Sequence, residues 1–396
     1  ASNNTALGHK ALEVNTTGDY NVAVGANALD ANTTAANNTA IGWGSLGANT
    51  TGERNTASGT SALLVNTTGD GNAAFGQAAL AANTTADNNA AVGRSALAAN
   101  TTGISNVAMG SYALQANTTT SYGVAIGYEA LGATTVAAQT AVGYGAMTQN
   151  TTGTGNVAVG YFAKRYGTGH DYCTAVGYEA LQGVNGYNNS DNNTAIGYQA
   201  LKAVNSGASN TAVGSGALTS NTTGTQNVAL GKSAMGTNTT ASYNTAVGDQ
   251  ALLDNTTGAE NVAVGHAALF ENTTASYNTA VGNSALRDNT TGEKNTAVGQ
   301  VALENNTTGN RNVAVGRIAL YTNTTGSYNT ALGQGALYYN NADTNTSVGY
   351  ESMNANTTGT QNVAVGSYAL DANTTGSHNT AIGANALSAN TTSSGS

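Results

Sequence analysis

Along nearly the whole chain a polar Asn is followed by Thr or Val, then Ala, an aliphatic residue and Gly, and a few positions later by Asn-Thr-Thr. In one copy the order is Asn21-Val22-Ala23-Val24-Gly25-Ala26-Asn27-Ala28-Leu29, then Asp30-Ala31 and Asn32-Thr33-Thr34. The glycine that closes the short apolar run stands at 23 positions, from Gly8 and Gly25 to Gly366 and Gly383, and 19 of the 22 intervals between them are 17 residues. A unit of that length is too short for a pair of helices, because a marginally stable lone helix already takes about 12–15 residues. It suits one coil of a stacked β architecture, with two or three strands of about four residues and tight corners.

Strand side chains alternate, so positions 21, 23 and 25 point one way and positions 22 and 24 the other. Both faces are restricted. The first carries Ala, and the second carries Leu7, Val24, Ile41, Phe75 or Met109 immediately before the glycine. Two readings follow: the second face is β-prone surface, or it packs against a neighbouring chain as a divided core does. Exchange of Thr and Val before the Ala (Thr5, Val22, Thr39, Thr56, Val107) keeps the shape and swaps a methyl for a hydroxyl, which suits a half-buried position. The expected fold is an all-β parallel β-solenoid, or β-roll, of about 23 coils with a 17-residue period. Residues 1–396 are expected to form a single repeat domain, with irregular coils and a loop insertion over 161–195.

The irregularities are local. The coil at Gly132-Ala133-Thr134-Thr135-Val136 loses its Asn-Thr-Thr and one residue. Tyr161-Phe162-Ala163-Lys164-Arg165-Tyr166-Gly167-Thr168-Gly169-His170-Asp171-Tyr172-Cys173 replaces a corner, and the stretch 183–191 adds three residues to the next interval. Insertions loop out of a solenoid without breaking the stack, so this is the place for a special site if there is one. The chain begins at Ala1 without a leader-like stretch, as expected of a processed protein or a fragment, and its end copies carry no polar cap, which favours further copies or domains against them.

Composition narrows the function. With 51 Gly, no Pro, 3 Phe and 1 Trp in 396 residues, the large side chains of a broad globular interior are scarce. A net charge of −9 is spread thinly over variable slots (His9, Lys10, Asp249, Arg317) and corners (Asp19, Glu53, Glu260). Nucleic acid would call for a basic stripe, and membrane insertion for about 20 consecutive apolar residues; the sequence has neither. The single Cys173 provides no disulfide framework and stands where other copies have Asn, as a small buried substitute would. Trp43, following a closing glycine, reads as a surface aromatic.

The corner Asn-Thr-Thr-Gly combines residues that tolerate left-handed backbone with side chains that bond nearby backbone groups, and stacking at about 4.8 Å extends such bonds into ladders. The same triplet matches the Asn-x-Thr acceptor pattern at Asn15, Asn32, Asn49, Asn66, Asn83, Asn100, Asn117, Asn150, Asn221, Asn238, Asn255, Asn272, Asn289, Asn306, Asn323, Asn356, Asn373 and Asn390. A glycan ladder would follow if those side chains face outward in a glycosylating pathway. Catalytic and metal-binding constellations are not evident: His9, His170, His266 and His378 are scattered, no calcium-type acidic loop recurs, and the Gly-containing unit is no phosphate loop. No cofactor is expected, and neither is enzymatic activity.

Units such as Asn278-Thr279-Ala280-Val281-Gly282-Asn283-Ser284-Ala285-Leu286 and Asn329-Thr330-Ala331-Leu332-Gly333-Gln334-Gly335-Ala336-Leu337 resemble the head repeats of trimeric autotransporter adhesins and the repeats of some phage tail fibres and of surface proteins with a C-terminal self-cleaving chaperone. That resemblance covers essentially the whole chain and implies a parallel β-roll whose three chains associate side by side, in extracellular fibres, stalks and host attachment. The adhesin repeat is shorter, about 14–15 residues, so this coil is expected to have a wider section or a different chain number. The combined expectation is a structural protein of an extracellular, cell-surface or virion fibre, possessing self-association as trimer or filament. Surface glycans are a possible ligand. The alternative is a glycan-binding adhesin or an ice-binding solenoid, which would require a flat exposed Thr face.

Overall fold

Alternation of inward Asn and Ala with outward Thr, Val or Ile sets the course of each coil. In a computed structural model, which describes residues 1–186 and 190–396, every copy forms a strand of three residues ending just before its glycine, from β1 (Thr5–Leu7), β2 (Val22–Val24) and β3 (Thr39–Ile41) to β23 (Thr380–Ile382). Among the described residues there are 23 such strands and no helix. Neighbouring strands run parallel and in step, with Val22 opposite Thr39, Ala23 opposite Ala40 and Val24 opposite Ile41. The chain is an all-β parallel β-solenoid with a 17-residue period. It divides into two compact units, 1–195 and 196–396, each built from the same coil. Residues 187–189, part of the insertion at 183–191, lie outside the described residues.

The coil has one short strand where two or three of about four residues were expected, and the backbone explains why. The closing glycine has φ between 121° and 143° in every copy. A Cβ at Gly25 would stand 2.5 Å from the carbonyl oxygen of Gly42 in the next coil. Three further residues per coil are left-handed, as at Asn27 (φ 57°), Leu29 (φ 51°) and Asn37 (φ 62°), and each turns the chain out of the strand direction. The left-handed positions are therefore Asn27, Leu29, Asn37 and their equivalents, not the Asn and Gly of Asn-Thr-Thr-Gly.

Left-handed backbone costs a non-glycine residue about 1–2 kcal/mol. At Leu29 that is offset by complete burial of the side chain, worth about 1.5–3 kcal/mol, and by a bond from its N–H to Ser45 O at 3.1 Å. Such backbone bonds between coils continue through the corners: Asn27 N–H to His9 O at 2.8 Å, Thr16 N–H to Thr33 O at 2.8 Å, Asn37 N–H to Asp19 O at 3.0 Å. Inside, the columns of Ala23, Ala28 and Leu29 are fully buried and make up the thin apolar core.

Candidate functional site

Two asparagines per coil point inward, and both are ladders. In the Asn-Thr-Thr column, Asn32 Nδ2 donates to Asn15 Oδ1 at 2.9 Å and to Ala35 O at 3.1 Å. Asn49 repeats this against Asn32 at 3.1 Å and Gly52 O at 2.9 Å. In the column before the strand, Asn21 Oδ1 accepts from Asn38 N–H at 2.9 Å while Asn21 Nδ2 donates to Ala35 O at 2.8 Å. One corner carbonyl thus takes an amide from each ladder. The second ladder escapes a sequence reading, because an Asn directly before Val-Ala-Val looks like an ordinary strand residue; its only trace is its return in copy after copy.

The acceptor-pattern asparagines are therefore placed inside the coil. Sixteen of the 18, all but Asn15 and Asn390, are buried, so the outward orientation on which a glycan ladder depends is not met at them. A sugar on Nδ2 would displace the two bonds that this nitrogen donates. The first Thr of the triplet also joins the stack, as where Thr50 Oγ1 donates to Thr67 O at 3.0 Å. The second, Thr34 and its equivalents Thr51 and Thr68, is exposed.

Outside, within each unit, the strands contribute two side chains apiece to one face: Thr or Val at the first position, except for Ala73 and Ala90, and Val, Ile, Leu, Met or Phe at the third, except for Ser58. Ile41 is 44% exposed, Leu230 46% and Val365 37%. Neither column contains a charged residue in any of the 23 copies. Ala between them is buried, which places the inward and outward faces of the strand as the alternation predicts.

The irregular coils gather polar groups in the interior. Lys164 occupies the Leu column and is fully buried; its Nζ donates to His170 O at 3.4 Å. Burial pushes its pKa down to about 8, against the opposing pull of Cys173, Asp171 and Asp191. Gly167 stands in the Asn-Thr-Thr column, and the imidazole of His170 fills the vacated space, since a Cβ on Gly167 would lie 2.4 Å from His170 Cε1. Asn150 Oδ1 on the preceding coil is buried without a partner, as is Thr134 Oγ1 where the same column lapses one coil earlier.

Sequence reading found no partner for His170; the fold brings Ser190 Oγ to 2.9 Å from its Nδ1, across an insertion that hides the pairing. Both residues are buried. Cys173 continues the second ladder: its N–H donates to Asn156 Oδ1 at 2.9 Å, and its thiol lies 3.3 Å from Ser190 O. Burial pushes the thiol pKa up, which keeps it protonated and unreactive, as a packed substitute would be.

The other histidines lie on separate coils; His266 Nε2 is 4.0 Å from Asp249 Oδ2, and no group of three metal-ligating side chains forms among the described residues. Trp43 is exposed, beside a surface hollow formed with Asn27, Asp30 and Leu64. Among the described residues no helix is long and apolar enough to cross a membrane. In comparison with known proteins, no family model matches the chain and no curated protein is similar to it. The architecture itself is that of solenoid-repeat proteins in general, a repetitive scaffold typical of structural and fibrous proteins.

Proposed function

We propose that this chain is a non-catalytic structural segment of an extracellular fibre or appendage, and that copies of it associate side by side through the outward strand face. The observation that carries this reading is the uncharged strip of Thr/Val and Val/Ile/Leu side chains. Contiguous exposed apolar surface of more than a few hundred Å² marks an interaction site. Ten coils at about 4.8 Å make a strip about 50 Å long, and packing of two such faces brings the buried total to roughly the 1,000 Å² a specific interface needs. An occupant has to present apolar groups at the same spacing over many coils, and a second copy of this chain does so by construction. Side-by-side trimers, as in the adhesin heads the repeats resemble, are the first geometry to test.

Sedimentation of the full chain is expected to show oligomers. The variant Leu230→Lys/Val247→Lys/Val264→Lys is expected to sediment as a monomer with an unchanged circular-dichroism spectrum. A wild-type monomer at every concentration would refute self-association. One observation favours a second reading: the exposed column of Thr34, Thr51 and Thr68 offers one hydroxyl per coil, a row that can order water or hold a sugar. Thermal hysteresis or saturable glycan binding, lost on Thr→Val changes in that column, would establish it over the fibre reading.

A further inference from the structure

The slot after the closing glycine varies freely at first: His9, Ala26, Trp43, Thr60, Gln77, Arg94, Ser111. It then holds Tyr128, Tyr144, Tyr161, Tyr178 and Tyr198 in five successive coils, the first four of them in the first unit. The rings of the first four stack, with centroids 5.2 Å apart and planes at 11° for the first pair, 5.4 Å and 16° for the second, 5.0 Å and 9° for the third. Each ring is about two-fifths exposed. Because neighbouring rings cover each other's faces, solvent reaches mainly their edges. That arrangement is unsuited to a sugar-stacking platform, which needs open faces.

The same coils have a defective interior, with Thr134 and Gly167 in the Asn-Thr-Thr column, Asn150 Oδ1 unpaired and Lys164 among leucines. Where the Asn-Thr-Thr ladder lapses, the stacked surface rings add a contact between these coils beside the second ladder, which continues through Asn156 and Cys173.

We propose that this tyrosine column is an oxidative modification site, at which peroxide and a haem peroxidase couple adjacent phenols into dityrosine and so join successive coils covalently. Each phenol gives one electron and its hydroxyl proton to the oxidant, and the two phenoxyl radicals bond through carbons ortho to oxygen. The hydrogen on each coupled carbon then shifts to its own oxygen, which restores two phenols. One hydrogen peroxide takes up the two electrons and two protons and leaves as two waters. In-register stacking holds the rings beside one another, and their exposure leaves room for the rotation that brings the edges together. The inference is independent of the side-by-side assembly, since both rings belong to one chain.

The test is treatment of dilute full-length chain with a haem peroxidase and hydrogen peroxide, followed by mass-spectrometric mapping of cross-linked peptides. Links 128–144, 144–161 and 161–178 are expected, within single chains. Tyr20, Tyr122, Tyr243 and Tyr277 are more exposed but have no aromatic residue above or below them in their column, and are expected to remain unlinked within the chain. Of these three links, Tyr144→Phe, which keeps the stacking, is expected to leave 161–178 alone, and Tyr144→Phe/Tyr178→Phe is expected to leave none. Tyr321 and Tyr338 in the second unit, stacked at 5.2 Å and 17°, should still couple in both variants and serve as an internal control. Coupling at 321–338 without any link in the 128–178 column would overturn the proposal, as would links confined to the isolated tyrosines.

Discussion

Lys164 stands where every other coil has Leu or Met, and its ammonium is fully buried with a 3.4 Å contact to one carbonyl. A buried charge so poorly compensated is a net cost to folding. Lys164→Leu is therefore expected to raise unfolding free energy by about 2–3 kcal/mol in denaturant titrations at pH 7. Its pH dependence follows from the pKa of about 8 in the folded chain, below the roughly 10.4 of a free lysine. Between these values the unfolded chain holds a proton that the folded chain has released, so stability rises with pH through this window, and the full penalty applies below it. The expected gain from pH 7 to pH 10.5 is about 3 kcal/mol relative to Lys164→Leu, in which all other titrations are retained. Parallel pH curves for the two proteins would show that the amine is not held in this low-dielectric site.

The coil, as the repeated element, depends on side chains that a motif reading assigns elsewhere. Asn272 Nδ2 donates to Asn255 Oδ1 and Ala275 O, both within 3.0 Å, and its Oδ1 accepts from Asn289 at 2.9 Å. Asn272→Ala removes all three bonds and leaves buried Asn255 Oδ1 without its donor, while Ala275 O keeps Asn261 and Asn289 keeps Gly292 O; it is expected to cost about 1–3 kcal/mol. Thr274→Ala removes the same Asn-x-Thr pattern at an exposed position and is expected to change stability by less than about 0.5 kcal/mol. Equal losses would mean that the triplet serves something other than the ladder. Gly265→Ala, at φ 131° with a Cβ site 2.5 Å from Gly282 O, is expected to cost about 3 kcal/mol or more, seen as early unfolding of the coils around it. The period, the parallel stacking, the inward Ala and the idea of corner ladders were legible, because a strict 17-residue return and strand alternation leave few other solutions. What was not legible depends on backbone that local preference disfavours: left-handed Leu29, the shortening to a single three-residue strand, and the second role of Asn21. The pairing of His170 with Ser190 was hidden for a different reason, since the insertion destroys the register by which positions are compared.

At the scale of the molecule, charge and apolar surface are kept apart. Apart from buried Lys164, the charges that sum to −9 reside in corners and free slots, while the two outward strand columns contain no ionisable residue. If copies associate through those columns, each approaching chain meets like charge around an apolar contact. Repulsion of this kind reaches about 30 Å at 0.01 M salt and about 8 Å at 0.15 M, whereas burial of Val, Ile and Leu is little affected by such concentrations. Self-association is therefore expected to strengthen as salt rises across this range, by several-fold in the dissociation constant measured by sedimentation equilibrium. The Leu230→Lys/Val247→Lys/Val264→Lys variant is expected to stay monomeric throughout, because screening cannot restore an apolar contact into which ammonium groups have been placed. Association that weakens with added salt would point instead to contacts between opposite charges at the corners, and would remove the strand strip as the assembly surface.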